Sequence, residues 1–428
     1  MTDFTIVLRS LRVRLFSTIV TALLVATSAG LLLTILSLRS AGKAAFERGS
    51  GNAHLLVSAD QSPLVAVLNG LFYANPPRAP LSQAKVSEIR RLFPWDFMVE
   101  TQLGDSYRGF PVLATTPEFF TKFEPVVGEP WAPASGKFFD GNMQVVLGAA
   151  CARETGLRMG AKLVLTHGSG ASREGGEGEE HGHVHREYEF EVVGILKPTG
   201  SPHDRALFVS LESSWILHAH DRREREGLEG KVTTADLLED DRKVTGMLLR
   251  LPTRSGSNVS SALQQVFDTL RRDTSITVAQ PADQIDKLFN IVANVDGIFI
   301  ALAIVTLFSS AVAILLSMVN SMAQRRRQIA VLRVLGASQS RVFGIVLTEA
   351  AVIGLLGSVA GILVSVIALT IATAWLRESL GLIIAPDFDP RASVIVAAGA
   401  VALSALAGLV PAVMAYRTSV STQLRPLG

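Results

Sequence analysis

From Leu15 to Leu38 the chain runs for 24 residues without a charge. As a helix this stretch measures about 36 Å, more than the ~30 Å hydrocarbon thickness of a bilayer. Three further apolar stretches occur at Val295–Met322, Ile345–Trp375 and Ser393–Ala415, the middle one long enough to tilt. The first is too long for a cleaved signal, whose apolar core runs about 7–15 residues. Four membrane-spanning helices are therefore expected. Between the first and second lies a mixed sequence, Arg39–Asn294, long enough to bury a core of its own.

Basic residues set the expected direction of the spans. Arg9, Arg12 and Arg14 precede the first, Arg325, Arg326, Arg327, Arg333 and Arg341 separate the second from the third, and Arg417 and Arg425 come after the fourth. The segment between the third and fourth has Glu378, Asp387 and Asp389 against Arg377 and Arg391, with no positive excess. The expected order is a cytoplasmic N-terminus (1–14), span one (15–38), an extracytoplasmic α+β domain (39–294), span two (295–322), a cytoplasmic loop (323–344), span three (345–375), an outer loop (376–392), span four (393–415) and a cytoplasmic tail (416–428). Both termini then face the cytoplasm, and the spans face membrane lipids in a bacterial inner membrane.

Several function classes are excluded. A formal charge of +2 with no basic stripe gives no basis for nucleic-acid binding. The sequence has no Gly-x-x-x-x-Gly-Lys-[Ser/Thr] phosphate loop, so no nucleotide chemistry of that kind is expected of this chain. It also lacks a Gly-x-Ser-x-Gly elbow, a His-Glu-x-x-His helix and a Cys-x-x-Cys pair, so no enzymatic activity is expected. The single cysteine, Cys151, reads as a small buried hydrophobe.

Small residues recur four apart as Ala22, Ala26 and Gly30 in span one and as Gly357 and Gly361 in span three, with Gly354 one turn earlier. Such rows let helix backbones approach closely, although Gly and Ala are common in membrane helices generally. Glu349 and Asp296 lie near span ends, where an acid can pair with arginines or reach headgroups; an ionisable group at membrane depth is also a candidate for function.

After span two the chain reads SMAQRRRQIAVLRVLGASQSRVFGIVLTEA. Ile329, Leu332 and Leu335 fall at helical spacing, with Gly336 as a stop and Ser338 as a cap for the next helix. This predicts a short amphipathic helix at the membrane surface. The string RRRQIAVLRVLGAS resembles the signature of the MacB/FtsX-type permeases of ABC transporters, whose usual form is Arg-Arg-x-Glu-Ile-Gly and then Leu-Arg-Ala-Leu-Gly-Ala. Gln324 and Gln328 stand where glutamates are usual, and Ala330 replaces a common glycine. The closing LVPAVMAYRTSVSTQLRPL is similar to the family's Pro-Ala-x-x-Ala-x-Arg ending.

The resemblance implies a permease that acts as a homodimer or pseudo-dimer on a pair of cytoplasmic ABC ATPases, converting their closure into motion of the outer domain. Arg325, Arg326, Arg327, Ile329, Leu332, Arg333, Leu335 and Gly336 would then form the element that rests on the ATPase. Export of peptides or drugs, lipoprotein release and control of a cell-wall hydrolase all occur in the family. A regulatory scaffold that activates a periplasmic or lipoprotein partner is the competing reading.

The intervening domain shows strands at His54–Ser58, Phe97–Leu103 and Arg108–Ala114, helices at Ser82–Phe93 and around Glu118, and a closing strand-helix-strand set at Gly246–Leu251, Asn258–Arg271 and Ile276–Ala279. These two halves resemble the porter-like subdomains of the family. Arg158–Thr166 and Tyr188–Lys197 read as a hairpin, but HGSGASREGGEGEEHGHVHRE stands between them. His167, His181, His183, His185, His203, His218 and His220 all fall in this neighbourhood, beside Glu174, Glu177, Glu179 and Glu180.

Alternate residues of an extended segment share a face, so His181, His183 and His185 can present three imidazoles together, and His218 and His220 repeat the pattern. Imidazole suits zinc and other transition metals, which makes His167, His181, His183, His185, His218 and His220 candidate ligands. A Gly/Glu/His stretch is also what a solvated hairpin insert looks like. Histidines near neutrality would further give the loop a pH-dependent charge.

Overall fold

The computed structural model describes residues 3–77, 79–167, 187–228, 230–254, 256–380 and 388–417, with the side chains of 292–296, 323–327 and 377–380 outside that set. The chain opens with α1 (Asp3–Val13) and α2 (Leu15–Gly49). Strands β1 (Leu55–Ser58), β2 (Phe97–Tyr107) and β3 (Phe110–Thr115) come next, with α3 (Pro63–Gly70), α4 (Gln83–Leu92) and α5 (Glu118–Thr121). After them stand β4 (Pro133–Gly136), β5 (Gln144–Leu147), α6 (Ala149–Thr155), β6 (Lys162–Leu163), β7 (Thr166–His167), β8 (Phe190–Leu196), β9 (Leu207–Ser210) and α7 (Leu211–Arg225). Strand β10 (Gly246–Arg250), α8 (Leu263–Leu270) and β11 (Thr277–Ala279) close the domain, and α9 (Pro281–Val334), α10 (Gln339–Leu380) and α11 (Pro390–Tyr416) end the described chain. Two compact units result, one of helices and one built on Lys43–Asn290.

Among the described residues, four helices are long and apolar enough to cross a membrane: Leu15–Gly49, Gly297–Met322, Gln339–Leu376 and Pro390–Tyr416. The two small-residue rows face each other. A Cβ on Gly361 would lie 2.9 Å from the Ala26 carbonyl oxygen, and one on Gly357 would lie 2.9 Å from that of Ala22. A Cβ on Gly30 would sit 3.0 Å from the Gly361 carbonyl oxygen, so only small residues permit this approach. Gly354 meets the fourth span instead, at Ser404 and Val401.

Hydroxyls add links between helices, Ser28 to Ser310 at 3.1 Å and Thr34 to Ser365 at 3.3 Å. The segment before span one, expected as a tail, forms the helix Asp3–Val13, whose Val7 and Leu11, one turn apart, pack with Met318, Met322 and Ile329. Asp3 holds Arg341 through bonds of 2.6 and 2.9 Å.

The other unit is one mixed sheet ordered β11-β1-β10-β2-β3-β9-β5-β8-β4, with β6 on β8 and β7 on β2. The two strand-helix-strand halves interleave: β1, from the first, lies between β11 and β10 of the second. Leu55 and Val57 on one face and Leu56 on the other are all fully buried, as the unbroken apolar run of a central strand requires. On the Leu55 face, α4, α6, α7 and α8 contribute Val86, Cys151, Leu217 and Val266. The opposite face is aromatic, with Phe119, Phe123, Trp131 and Phe208. Phe46, near the end of α2, packs there against Phe72 and Phe289 at ring separations of 4.7 and 5.5 Å.

The helix expected at Asn258–Arg271 is shorter, Leu263–Leu270. Hairpin pairing of β6 with β8 occurs over two residues, Lys162 opposite Glu191 and Leu163 opposite Phe190. The chain then leaves β8, and β7 pairs with β2, His167 opposite Asp105.

Candidate functional site

Strand β2 carries a local irregularity that builds the most chemically specific corner of the domain. Phe97, Val99 and Leu103 face the aromatic side of the sheet, which strict alternation would extend to residue 105. The register to β3 shifts between Leu103 and Asp105, a bulge at Gly104 with φ of +152°. One extra residue moves the remainder of the strand to the other face. Asp105 is thereby aimed at α7, and Tyr107 packs on the same side.

Helix α7 is set by local and distant contacts. Ser210 caps its first turn by accepting from the Ser213 amide at 3.2 Å. Near its end, Arg222 clamps Asp241 through two bonds of 2.9 Å. Ser214 and His218, four residues apart and so on one face, both reach Asp105: Ser214 Oγ lies 3.5 Å and His218 Nε2 4.0 Å from Asp105 Oδ2. From β7, His167 Nδ1 lies 3.0 Å from Asp105 Oδ1.

The ligand-capable atoms of Asp105, His167 and His218 all fall within 4.8 Å of one another, and the two imidazole rings meet edge to face at 4.9 Å. The Asp105 side chain is 4% exposed, that of His218 27% and that of His167 44%, so the group opens outward through His167. The hydrogen bond that His167 donates to Asp105 raises the His167 pKa above its ordinary value, whereas burial lowers that of His218. His218 Nε2 is shielded from solvent and makes no hydrogen bond.

Of the six histidines expected to act together, the fold brings His167 and His218 into one group. His218 and His220 lie on a helix and do not alternate as strand residues would; two positions apart there is about 200° of turn, so they point away from each other. His220 instead meets Tyr188, ring centroids 5.2 Å apart, and places Nε2 3.9 Å from Glu187. His181, His183 and His185 lie outside the described residues. His203 is a core residue: it is 1% exposed, bonded to the Tyr73 hydroxyl and ringed by Phe119, Phe123 and Trp131, and burial pushes its pKa down to about 3. No local signal singles out Asp105, because it arrives through a bulge and a pairing 62 residues away.

The segment between the second and third spans differs from expectation in one respect. It does not form a separate short helix, since α9 runs unbroken to Val334. No Gly or Pro interrupts the chain from Ser309 to Leu335, and Arg, Gln, Ala and Leu are strong helix formers. Gly336, at φ of +95°, ends the helix, and Ser338 accepts from the Arg341 amide at 3.2 Å to start the next.

Ile329 is buried at 7% exposure within the helical unit, Leu332 and Arg333 are half-buried, and Leu335 is 78% exposed beside exposed Val331 and Val334. The outward apolar surface is therefore Val331, Val334 and Leu335. Arg325, Arg326 and Arg327 are helical, with side chains outside the described set. Glu349, 1% exposed, pairs with Arg14 from the N-terminal end of the chain.

Comparison with known proteins gives two family matches. A family model described as the MacB-like periplasmic core domain matches residues 18–266, more than half of the chain, and one described as the FtsX-like permease C-terminal matches residues 300–420. An uncharacterized ABC transporter permease of Methanocaldococcus jannaschii is 25% identical over 186 residues, 42% of this chain and 41% of the relative's length. The extracellular domain of the noncanonic ABC-type transporter YknZ from Gram-positive bacteria aligns with 53% of this chain and 98% of its own, at 10% identity and a TM-score of 0.27. With four apolar helices and a large α/β domain inserted after the first, the chain belongs to the MacB/FtsX family of ABC transporter permeases.

Proposed function

We propose that this permease works by mechanical transmission: ATP binding and hydrolysis on a separate cytoplasmic ABC ATPase pair change the packing of its spans, and the α/β domain on the outer side of a bacterial inner membrane carries the movement to a substrate. The observation that carries the reading is that the chain enters and leaves the domain through helix. Helix α2 runs from span one to Gly49 and α9 from Pro281 into span two. Within the domain the ends of these two helices are joined by the Phe46–Phe289 ring contact and by Lys43, 3.3 Å from Asp286. A flexible connection would dissipate displacement; a helix passes it on.

Family membership supports a non-enzymatic role with ATP on a partner and a second copy of the permease beside it. Val331, Val334 and Leu335 supply exposed apolar surface of the kind that a docking groove covers. The test is affinity purification of the tagged full-length chain from native membranes. A P-loop ATPase is expected to co-purify with the wild type and to be lost with Leu335→Asp, while the oligomer stays intact. Recovery of the ATPase with Val331→Asp and Leu335→Asp combined would overturn the docking assignment. A stable outer protein partner, with no substrate-stimulated ATPase activity in nanodiscs, would favour the scaffold over transport.

A further inference from the structure

We propose that Asp105, His167 and His218 form a binding site for a borderline divalent transition-metal ion, zinc foremost. Three independent elements, a bulged strand, a short added strand and a helix, converge on one point with one carboxylate and two imidazoles. That donor set suits zinc in a site that keeps coordination positions open. A pure packing role accounts for the His167–Asp105 hydrogen bond but not for His218, whose Nε2 points into the group, hidden from water and without a hydrogen-bond partner. A buried imidazole nitrogen left in that state is costly; a metal ion satisfies it.

The geometry requires modest closure. Ligand atoms about 2.1 Å from a tetrahedral zinc ion stand roughly 3.4 Å apart. Asp105 and His167 are at 3.0 Å already, and His218 is at 4.0 Å from the second carboxylate oxygen. A small movement of the His218 ring toward the carboxylate supplies the remainder. Asp221, one turn beyond His218, adds negative charge nearby, and Arg225 opposes it. Ser214, at 3.5 Å from Asp105, orients the carboxylate as outer partners of metal ligands do. The ion would tie β7 and α7 to β2, immediately before the sequence that carries His181, His183 and His185.

The test uses the full-length chain in nanodiscs, with cobalt(II) as the spectroscopic probe and zinc as competitor. Wild type is expected to take up one tightly held cobalt ion per chain, with visible d–d absorption that zinc abolishes. His218→Gln should weaken uptake by more than about a hundredfold, a loss greater than the roughly 10–100-fold that removal of an outer partner causes. Replacing His181, His183 and His185 together by Gln should leave the tight site in place. Should His218→Gln lose the near-ultraviolet circular dichroism of the fold, His167→Gln at the exposed edge carries the same expectation. Unchanged affinity in either His variant, or loss of the tight site in the triple variant, would overturn the proposal by placing the ion on the other histidines. Absence of stoichiometric uptake by the wild type would overturn it as well.

Discussion

The two units differ in the titratable groups that they bury. Among the described residues of the helical unit, the one buried acid, Glu349, is matched with Arg14, and hydroxyls bridge neighbouring spans. In the α/β domain, imidazoles sit in the core or near it with a ring nitrogen left over, as at His203 and His218. Lipid offers no alternative partner, so a charge there persists only as a pair. An imidazole in a protein core has a different exit, since it can give up its proton and stay neutral. The domain pairs its buried acids too, as Arg222 does Asp241, but it also keeps imidazoles that can bind or titrate.

The sharpest way to break this contrast is at Glu349. Replacing it by Ala removes the buried carboxylate that Arg14 meets, and cutting one partner from a buried pair costs about 3–5 kcal/mol; thermal unfolding in nanodiscs should show a large drop. Replacing both, Arg14→Met with Glu349→Leu, should recover part of it.

Next in size is the acid response of the domain. His203 is neutral when folded, with a pKa of about 3, against about 6.5 when unfolded. Its contribution is fully present above pH 6.5 and is lost as pH falls toward 3, because only the unfolded state takes up the proton in that window. At pH 4 the loss is about 3 kcal/mol. Tyr73→Phe with His203→Leu should flatten the stability profile between pH 6.5 and 4, read from tryptophan fluorescence. A slope equal to wild type would show that His203 is not the titrating group.

Gly357→Ala places a methyl carbon 2.5 Å from Val25 Cβ, and overpacking of this kind costs about 1–3 kcal/mol. Gly399, where an added Cβ meets nothing within 4 Å, is the control and should tolerate Ala. Smallest is Ser28→Ala: an interhelical hydroxyl bond is worth about 0.6 kcal/mol in membranes, so a loss above 2 kcal/mol would mean the hydroxyl ladder carries far more than its pairwise share.

The features legible in the sequence are local ones. Charge-free runs identify spans because length and hydropathy are properties of consecutive residues, and the facing rows Ala22–Gly30 and Gly357–Gly361 are visible as spacing. Gly336 and Ser338 act as a stop and a cap for the same reason. The candidate metal group is only half legible. His167 and His218 stand out by composition, whereas Asp105 joins them through the Gly104 bulge and a long-range strand pairing. Reading 218–220 as extended misplaces His220, although Ser210 before Leu211, Ile216 and Leu217 is a helix signal. The helix at Asp3–Val13 is likewise signalled by Val7 and Leu11 one turn apart.

Cys151 has a consequence for how these motions can be tracked. It is the chain's sole thiol, fully buried on α6, and burial pushes its pKa up to about 12, so almost none is thiolate at neutral pH. The native sequence is therefore already a silent background for maleimide chemistry. A cysteine placed at exposed Leu335, or at exposed Leu228 in the domain, can carry a fluorophore or spin label without removal of the natural thiol.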